Sequence, residues 1–171
     1  HIALDMKNKL KIKVCGTRDP ANIQALVGLP IDYIGFIFYA QSSRFVATQA
    51  NCTIPLSIKK VGVFVNASLD EIKEKIEQYD LQVVQLHGDE SPAFCKEVQA
   101  LGIETFKAFG IDSDFEWESI KGYEEVVDYF LFDTKSNAYG GTGQTFNWDK
   151  LKENPYPKPY LLSGGISIDN I

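Results

Sequence analysis

Cysteine is scarce in this chain, with three in 171 residues, at positions 15, 52 and 95 and no C-x-x-C pair among them. An odd, sparse set fits reduced thiols better than a disulfide framework or a zinc site. Long apolar runs are missing too. None approaches the roughly 18 residues of a membrane-spanning helix, and the N-terminus lacks the charged-then-apolar pattern of a secretory signal. A soluble, cytoplasmic protein is therefore expected. Basic residues are few, 17 Lys and Arg against 23 Asp and Glu for a formal charge of -6, and no run of them makes a phosphate-backbone footprint. Nucleic acid is not an expected partner. Repeats, low-complexity tracts and linkers are also absent. The expectation is one domain over residues 9–171, with residues 1–8 a tag remnant or N-terminal extension.

What is present is an alternation. Short apolar, β-branched runs at Leu10 to Cys15, Ile31 to Phe38, Lys60 to Val65, Gln82 to Leu86, Ile103 to Phe109, Tyr129 to Asp133 and Tyr160 to Ser163 read as seven strands. Helix-like segments separate most of them, which implies an α/β chain of parallel units. Ser68 and Glu71 form a capping box for a helix to Tyr79, with Leu69, Ile72, Ile76 and Tyr79 at helical spacing. Asp19-Pro20 and Ser91-Pro92 each combine an N-cap with a proline at the first helical position. Asn51, Thr53 and Pro55 weaken the helical pattern of Ala47 to Ile58, and Asp112 to Lys121 is similarly irregular. After Ser167, a helix cap, only Ile168 to Ile171 follow, and one turn is not a natural terminus. Seven parallel strands without an eighth also leave two edges unpaired. Further residues beyond Ile171 are therefore expected, and the seam between the first and seventh of these strands is expected to be open and prone to association.

In such folds the reacting groups belong at the C-terminal ends of the strands. Lys13 and Cys15, two apart, point to one face of the first strand, with the thiol at its exit. A nearby ammonium favours thiolate, a base; the alternative is a small buried filler. Asp133 ends an apolar strand, where desolvation favours the protonated carboxyl, a proton donor; the alternative is a turn or capping aspartate. The glycine-rich loop Tyr139 to Gly143, with Gly141 and Gly143, can approach a ligand closely. Ser163-Gly164-Gly165 follows a strand and precedes the Ser167 cap, a pattern whose backbone donors suit a phosphate, or a tight turn. Arg44 can clamp a carboxylate or be a solvated loop residue. Gln85 and His87 share one face of the fourth strand and can polarise a substrate oxygen, or be polar groups at the rim.

Taken in order, Lys13-Val14-Cys15-Gly16, Gly35-Phe36-Ile37-Phe38-Tyr39 with Ser43-Arg44, and Val61-Gly62-Val63-Phe64-Val65-Asn66 resemble the phosphoribosylanthranilate isomerase family. Val84-Gln85-Leu86-His87-Gly88, Phe132-Asp133-Thr134-Lys135, Tyr139 to Gly143 and Leu162-Ser163-Gly164-Gly165-Ile166 carry the resemblance through nearly the whole chain. It implies a TIM (β/α)8 barrel whose eighth strand and flanking helices are missing from the chain. The implied activity is the Amadori rearrangement of N-(5'-phosphoribosyl)anthranilate to the carboxyphenylamino-deoxyribulose phosphate in tryptophan biosynthesis. No metal or organic cofactor is implied. Asp133 would be the general acid, Cys15 the general base, Arg44 the partner of the anthranilate carboxylate, and Ser163, Gly164 and Gly165 part of the phosphate site. One departure from the family is Arg18, which stands where a threonine is usual. Other phosphosugar barrels and a non-catalytic binding module are the alternatives. Both monomers and homodimers are compatible with this pattern.

Overall fold

A computed structural model describes residues 2–5, 11–16, 18–46, 53–134 and 148–163. These residues form eight strands: β1 (Ile2–Asp5), β2 (Ile12–Cys15), β3 (Tyr33–Ile37), β4 (Lys59–Phe64), β5 (Val83–Leu86), β6 (Glu104–Ile111), β7 (Tyr129–Thr134) and β8 (Tyr160–Ser163). They close into a barrel in chain order. The seven strands expected from sequence all form, and β2 to β8 run parallel, each beside the next.

The expectation of an open seam is corrected. β1 lies antiparallel between β2 and β8, aligning Ala3 with Lys13 and Leu4 with Leu162. The physical reason is that two unpaired edges expose rows of backbone donors and acceptors, and an extended segment within reach satisfies them.

Between the parallel strands, α1 (Pro20–Leu26), α2 (Leu69–Tyr79) and α3 (Pro92–Gln99) start where their caps predict. Asp19 accepts from the Ala21 N–H at 2.9 Å, Ser68 from Glu71 at 3.1 Å and Ser91 from Phe94 at 3.2 Å. A left-handed Asp80 ends α2. The irregular Asp112 to Lys121 stretch yields a 3₁₀ helix over Trp117–Tyr123. Its two buried residues, Trp117 and Ile120, are three apart, the spacing that 3₁₀ geometry stacks on one face. Of the weakly helical Ala47 to Ile58 pattern, residues 53–58 form no helix and residues 47–52 lie outside the described residues, and α4 (Trp148–Lys152) adds one short turn. No helix among the described residues is long and apolar enough to cross a membrane.

Both faces of the sheet are buried, as parallel strands require. Tyr33, Val61, Val83, Phe106, Leu131 and Leu161 point inward and fill the barrel. Their neighbours Ile34, Phe64, Val84, Phe130 and Leu162 point outward against Ile72, Tyr79 and Val98 of the helices. At the N-terminal end of the strands, Tyr33 donates to Glu104 at 3.4 Å, and Lys59 pairs with the same carboxylate at 2.7 Å. Burial, reinforced by that carboxylate, pushes the Tyr33 hydroxyl far above its ordinary range. That end is thereby plugged, and the cavity lies at the other.

Candidate active site

A cavity of about 180 Å³ opens at the C-terminal ends of the strands. The period-2 alternation that packs the barrel also delivers its polar lining: the inward positions toward the strand ends include Cys15, Gln85, His87, Asp133 and Ser163.

Cys15 ends β2 opposite Gly35 in register. A Cβ at position 35 would lie 2.7 Å from the Cys15 sulfur, so only glycine leaves the thiol its place. Gly16 follows with φ +83°, a conformation that favours glycine. A Cβ there would stand 2.7 Å from Arg44 Cδ. Arg44 is brought back over the barrel by a turn in which the Ser42 hydroxyl accepts its backbone N–H at 3.2 Å. The chain then returns to β3 through the Ile37 to Phe45 bridge. Gly35 thus leaves room for the thiol and Gly16 for the Arg44 side chain, and both groups line the same cavity.

Lys13 lies one inward step below Cys15 and is only 2% exposed. Across the barrel, the Gln85 amide nitrogen is 2.9 Å from His87 Nδ1, and His87 Nε2 is 3.7 Å from Asp133 Oδ2. Asp133 pairs in register with the buried Ser163 of β8. Among the residues expected from sequence, Lys13, Cys15, Arg44, Gln85, His87, Asp133 and Ser163 all line this one cavity. Gly141, Gly143, Gly164 and Gly165 lie outside the described residues. Among the described residues no three His, Cys, Asp or Glu side chains form a group able to hold a metal ion.

Several supporting residues escaped the sequence reading. Tyr39 and Ser42 also line the cavity, and their position just past a strand end was the signal. Behind His87, Glu90 accepts from the backbone N–H groups of Asn66 at 2.9 Å and Gly88 at 2.8 Å. Lys107 donates to the Gly88 carbonyl at 2.9 Å and lies 3.5 Å from Glu90, with both side chains at most 3% exposed. Tyr123 caps the group by donating to the Glu90 carbonyl at 2.7 Å. Burial holds the Lys107 ammonium below its ordinary range, against the opposing pull of Glu90. A lysine inside the apolar run Thr105 to Phe109 was the clue to a buried partner.

The family model described as N-(5'phosphoribosyl)anthranilate (PRA) isomerase matches residues 12–171. A curated relative of that name from Parabacteroides distasonis is 48% identical over 164 residues, covering 93% of this chain and 74% of its own length. Another from Phocaeicola vulgatus is 43% identical over 155 residues, covering 91% and 75%. The chain therefore spans about three quarters of these relatives. Among solved structures, the phosphoribosyl anthranilate isomerase of Thermotoga maritima superposes with a TM-score of 0.78 at 30% identity, covering 93% of this chain and 78% of that one.

Proposed function

The chain belongs to the N-(5'-phosphoribosyl)anthranilate isomerase family, and on that premise we propose that Asp133 and Cys15 are the acid and base of its reaction. The activity is an Amadori rearrangement, an intramolecular aldose-to-ketose isomerisation in tryptophan biosynthesis. The observation that carries the assignment is the convergence of a thiol, a carboxyl group, a guanidinium and a buried ammonium on one cavity from β2, β7 and the loop after β3.

In this reading Asp133 gives its proton to the ribose ring oxygen, the C1–O bond opens, and the anthranilate nitrogen becomes an iminium. Cys15, as thiolate, removes the C2 proton, leaving an enolamine that tautomerises to the ketone product. Arg44 binds the anthranilate carboxylate, where a planar fork meets a planar acceptor. Ser163, with Gly164 and Gly165 after it, holds part of the phosphate, and Gly141 and Gly143 are substrate-binding residues. Lys13, buried beneath the thiol, supplies positive charge to the reacting end of the cavity. Such an enzyme of small-molecule biosynthesis works in the cytoplasm, and it takes the phosphoribosyl substrate without help from nucleic acid.

Turnover of N-(5'-phosphoribosyl)anthranilate, followed through the anthranilate chromophore, tests the assignment. Cys15→Ala and Asp133→Ala are each expected to lower kcat by about 10²- to 10⁴-fold, the usual worth of a positioned acid or base. Activity retained in both variants would remove the pair from the mechanism.

A further inference from the structure

The His87 ring is held between two side chains, with Gln85 at Nδ1 and Asp133 facing Nε2. An amide nitrogen has hydrogens to give and no lone pair to accept with. At 2.9 Å it therefore requires an acceptor at Nδ1, and a neutral imidazole has only one proton to place. That proton falls on Nε2, the nitrogen that faces the carboxyl group. Gln85 is itself fixed: it is 2% exposed, and β5 sets it in register with Val63 on one side and Phe106 on the other. Its Oε1 is buried with no partner among the described residues. In this orientation one amide hydrogen is used at Nδ1; turned over, the amide would leave both hydrogens unmet in the buried space that Oε1 now occupies.

We propose that Gln85 is a positioning residue for the acid step, acting through His87. It fixes the imidazole as the Nε2–H tautomer, whose N–H stabilises the carboxylate left when Asp133 gives up its proton. The proton count is unchanged by the imidazole: the Asp133 O–H bond breaks, the bond to the ring oxygen forms, and His87 keeps its hydrogen throughout. The 3.7 Å separation closes by rotation about the terminal carboxyl torsion, which is soft. The inference rests on Asp133 being the acid, as assigned above.

The chain has two histidines, His1 and His87, so the ¹⁵N spectrum of histidine-labelled protein at about pH 8, where imidazole is neutral, is assigned by a single His87→Asn variant. The expected spectrum shows Nδ1 unprotonated and Nε2 carrying the hydrogen. Gln85→Glu places an acceptor at Nδ1; the two nitrogens should exchange roles, and kcat should fall about 10-fold with KM nearly unchanged. A merely structural glutamine would leave the tautomer where it was. An Nδ1–H ring in the wild type overturns the proposal, as does a Gln85→Glu protein with exchanged nitrogens and undiminished kcat. Should Gln85→Glu fail to fold, Gln85→Leu removes the donor and should raise the Nδ1–H fraction above the wild type's and lower kcat in step; an unchanged tautomer ratio together with an unchanged kcat overturns the proposal equally. An Asp133→Ala protein that keeps its turnover overturns the assignment of Asp133, and with it the role given to Gln85, whatever the tautomer.

Discussion

Cys15 and Cys95 have the same side chain in opposite surroundings, and the contrast gives the most direct tests at the scale of single residues. Cys15 lines the cavity and is partly exposed, while Cys95 on α3 is completely buried beside Lys107. Burial pushes the Cys95 thiol up to about 11. At about pH 8, where thiolate is the reactive form, iodoacetamide should modify Cys15 and leave Cys95 untouched, as peptide mapping by mass spectrometry will report. The same shift predicts a loss of stability in alkali. A folded thiol that keeps its proton where the unfolded chain has released it favours unfolding as pH rises. The contribution is whole below about pH 8.5, and about 2–3 kcal/mol is lost by about pH 11. Lys107 works in the opposite sense in that range, since burial lowers its proton affinity in the folded state. The comparison should therefore be with Cys95→Ala, whose urea-derived stability should fall less steeply over the same pH span; equal slopes would refute it. Gly35 offers a third test. A methyl group there must displace the Cys15 sulfur or its backbone, because the sulfur and Cα would lie 2.7 and 3.3 Å away. Misplacing a reacting group by about 1 Å costs on the order of 100-fold, so Gly35→Ala should lose about that much kcat/KM while remaining folded. Activity within about twofold of wild type would show that the thiol's position is not critical.

Secondary-structure elements were legible in the sequence to the extent that local chemistry decides them. The seven parallel strands and the starts of α1, α2 and α3 follow from apolar runs and from side chains that cap their own helices. Cys15, Asp133 and Ser163 were legible as site residues because a barrel strand's last inward position faces the ligand. The supports of the site were not legible, because they act across elements. Asn66 after β4, Glu90 before α3 and Lys107 on β6 meet only once the barrel is assembled, and no spacing along the chain announces that meeting. Their contribution is measurable as stability. Lys107→Met keeps the volume but strands the Glu90 carboxylate, which is 2% exposed, without its cation. Breaking a buried pair from one side costs about 3–5 kcal/mol, and urea unfolding should register a loss of that size. Adding Glu90→Gln should return part of it, since the remaining group is then neutral. A single variant as stable as the wild type would mean that the pair contributes nothing to holding the loop behind His87.

At the scale of the whole molecule the decisive element is the one that composition and periodicity did not disclose. Four residues, Ile2-Ala3-Leu4-Asp5, are too short to declare themselves a strand, and nothing in them names their partners. Their place is chosen by the rest of the barrel: β2 and β8 each offer an unpaired edge, and β1 bonds to both. Direction matters less than closure, since an antiparallel strand satisfies the same donors and acceptors as a parallel one. The closure bears on the site as well. Lys13 and Cys15 ride on β2 while Ser163 ends β8, so the strand between them helps fix the distance across the cavity. Deleting residues 1–8 should therefore have two linked effects. The freed edges should recruit each other between molecules, shifting the protein toward larger species in light scattering as concentration rises. The unfolding midpoint should fall as well, since backbone groups paired in the intact barrel are left to solvent. A deletion variant whose mass and midpoint both match those of the intact chain would mean that β1 is an ornament on a sheet already stable without it. A variant that associates, yet regains the intact chain's behaviour when a peptide spanning residues 1–8 is added, would show that the seam accepts a strand by edge pairing alone.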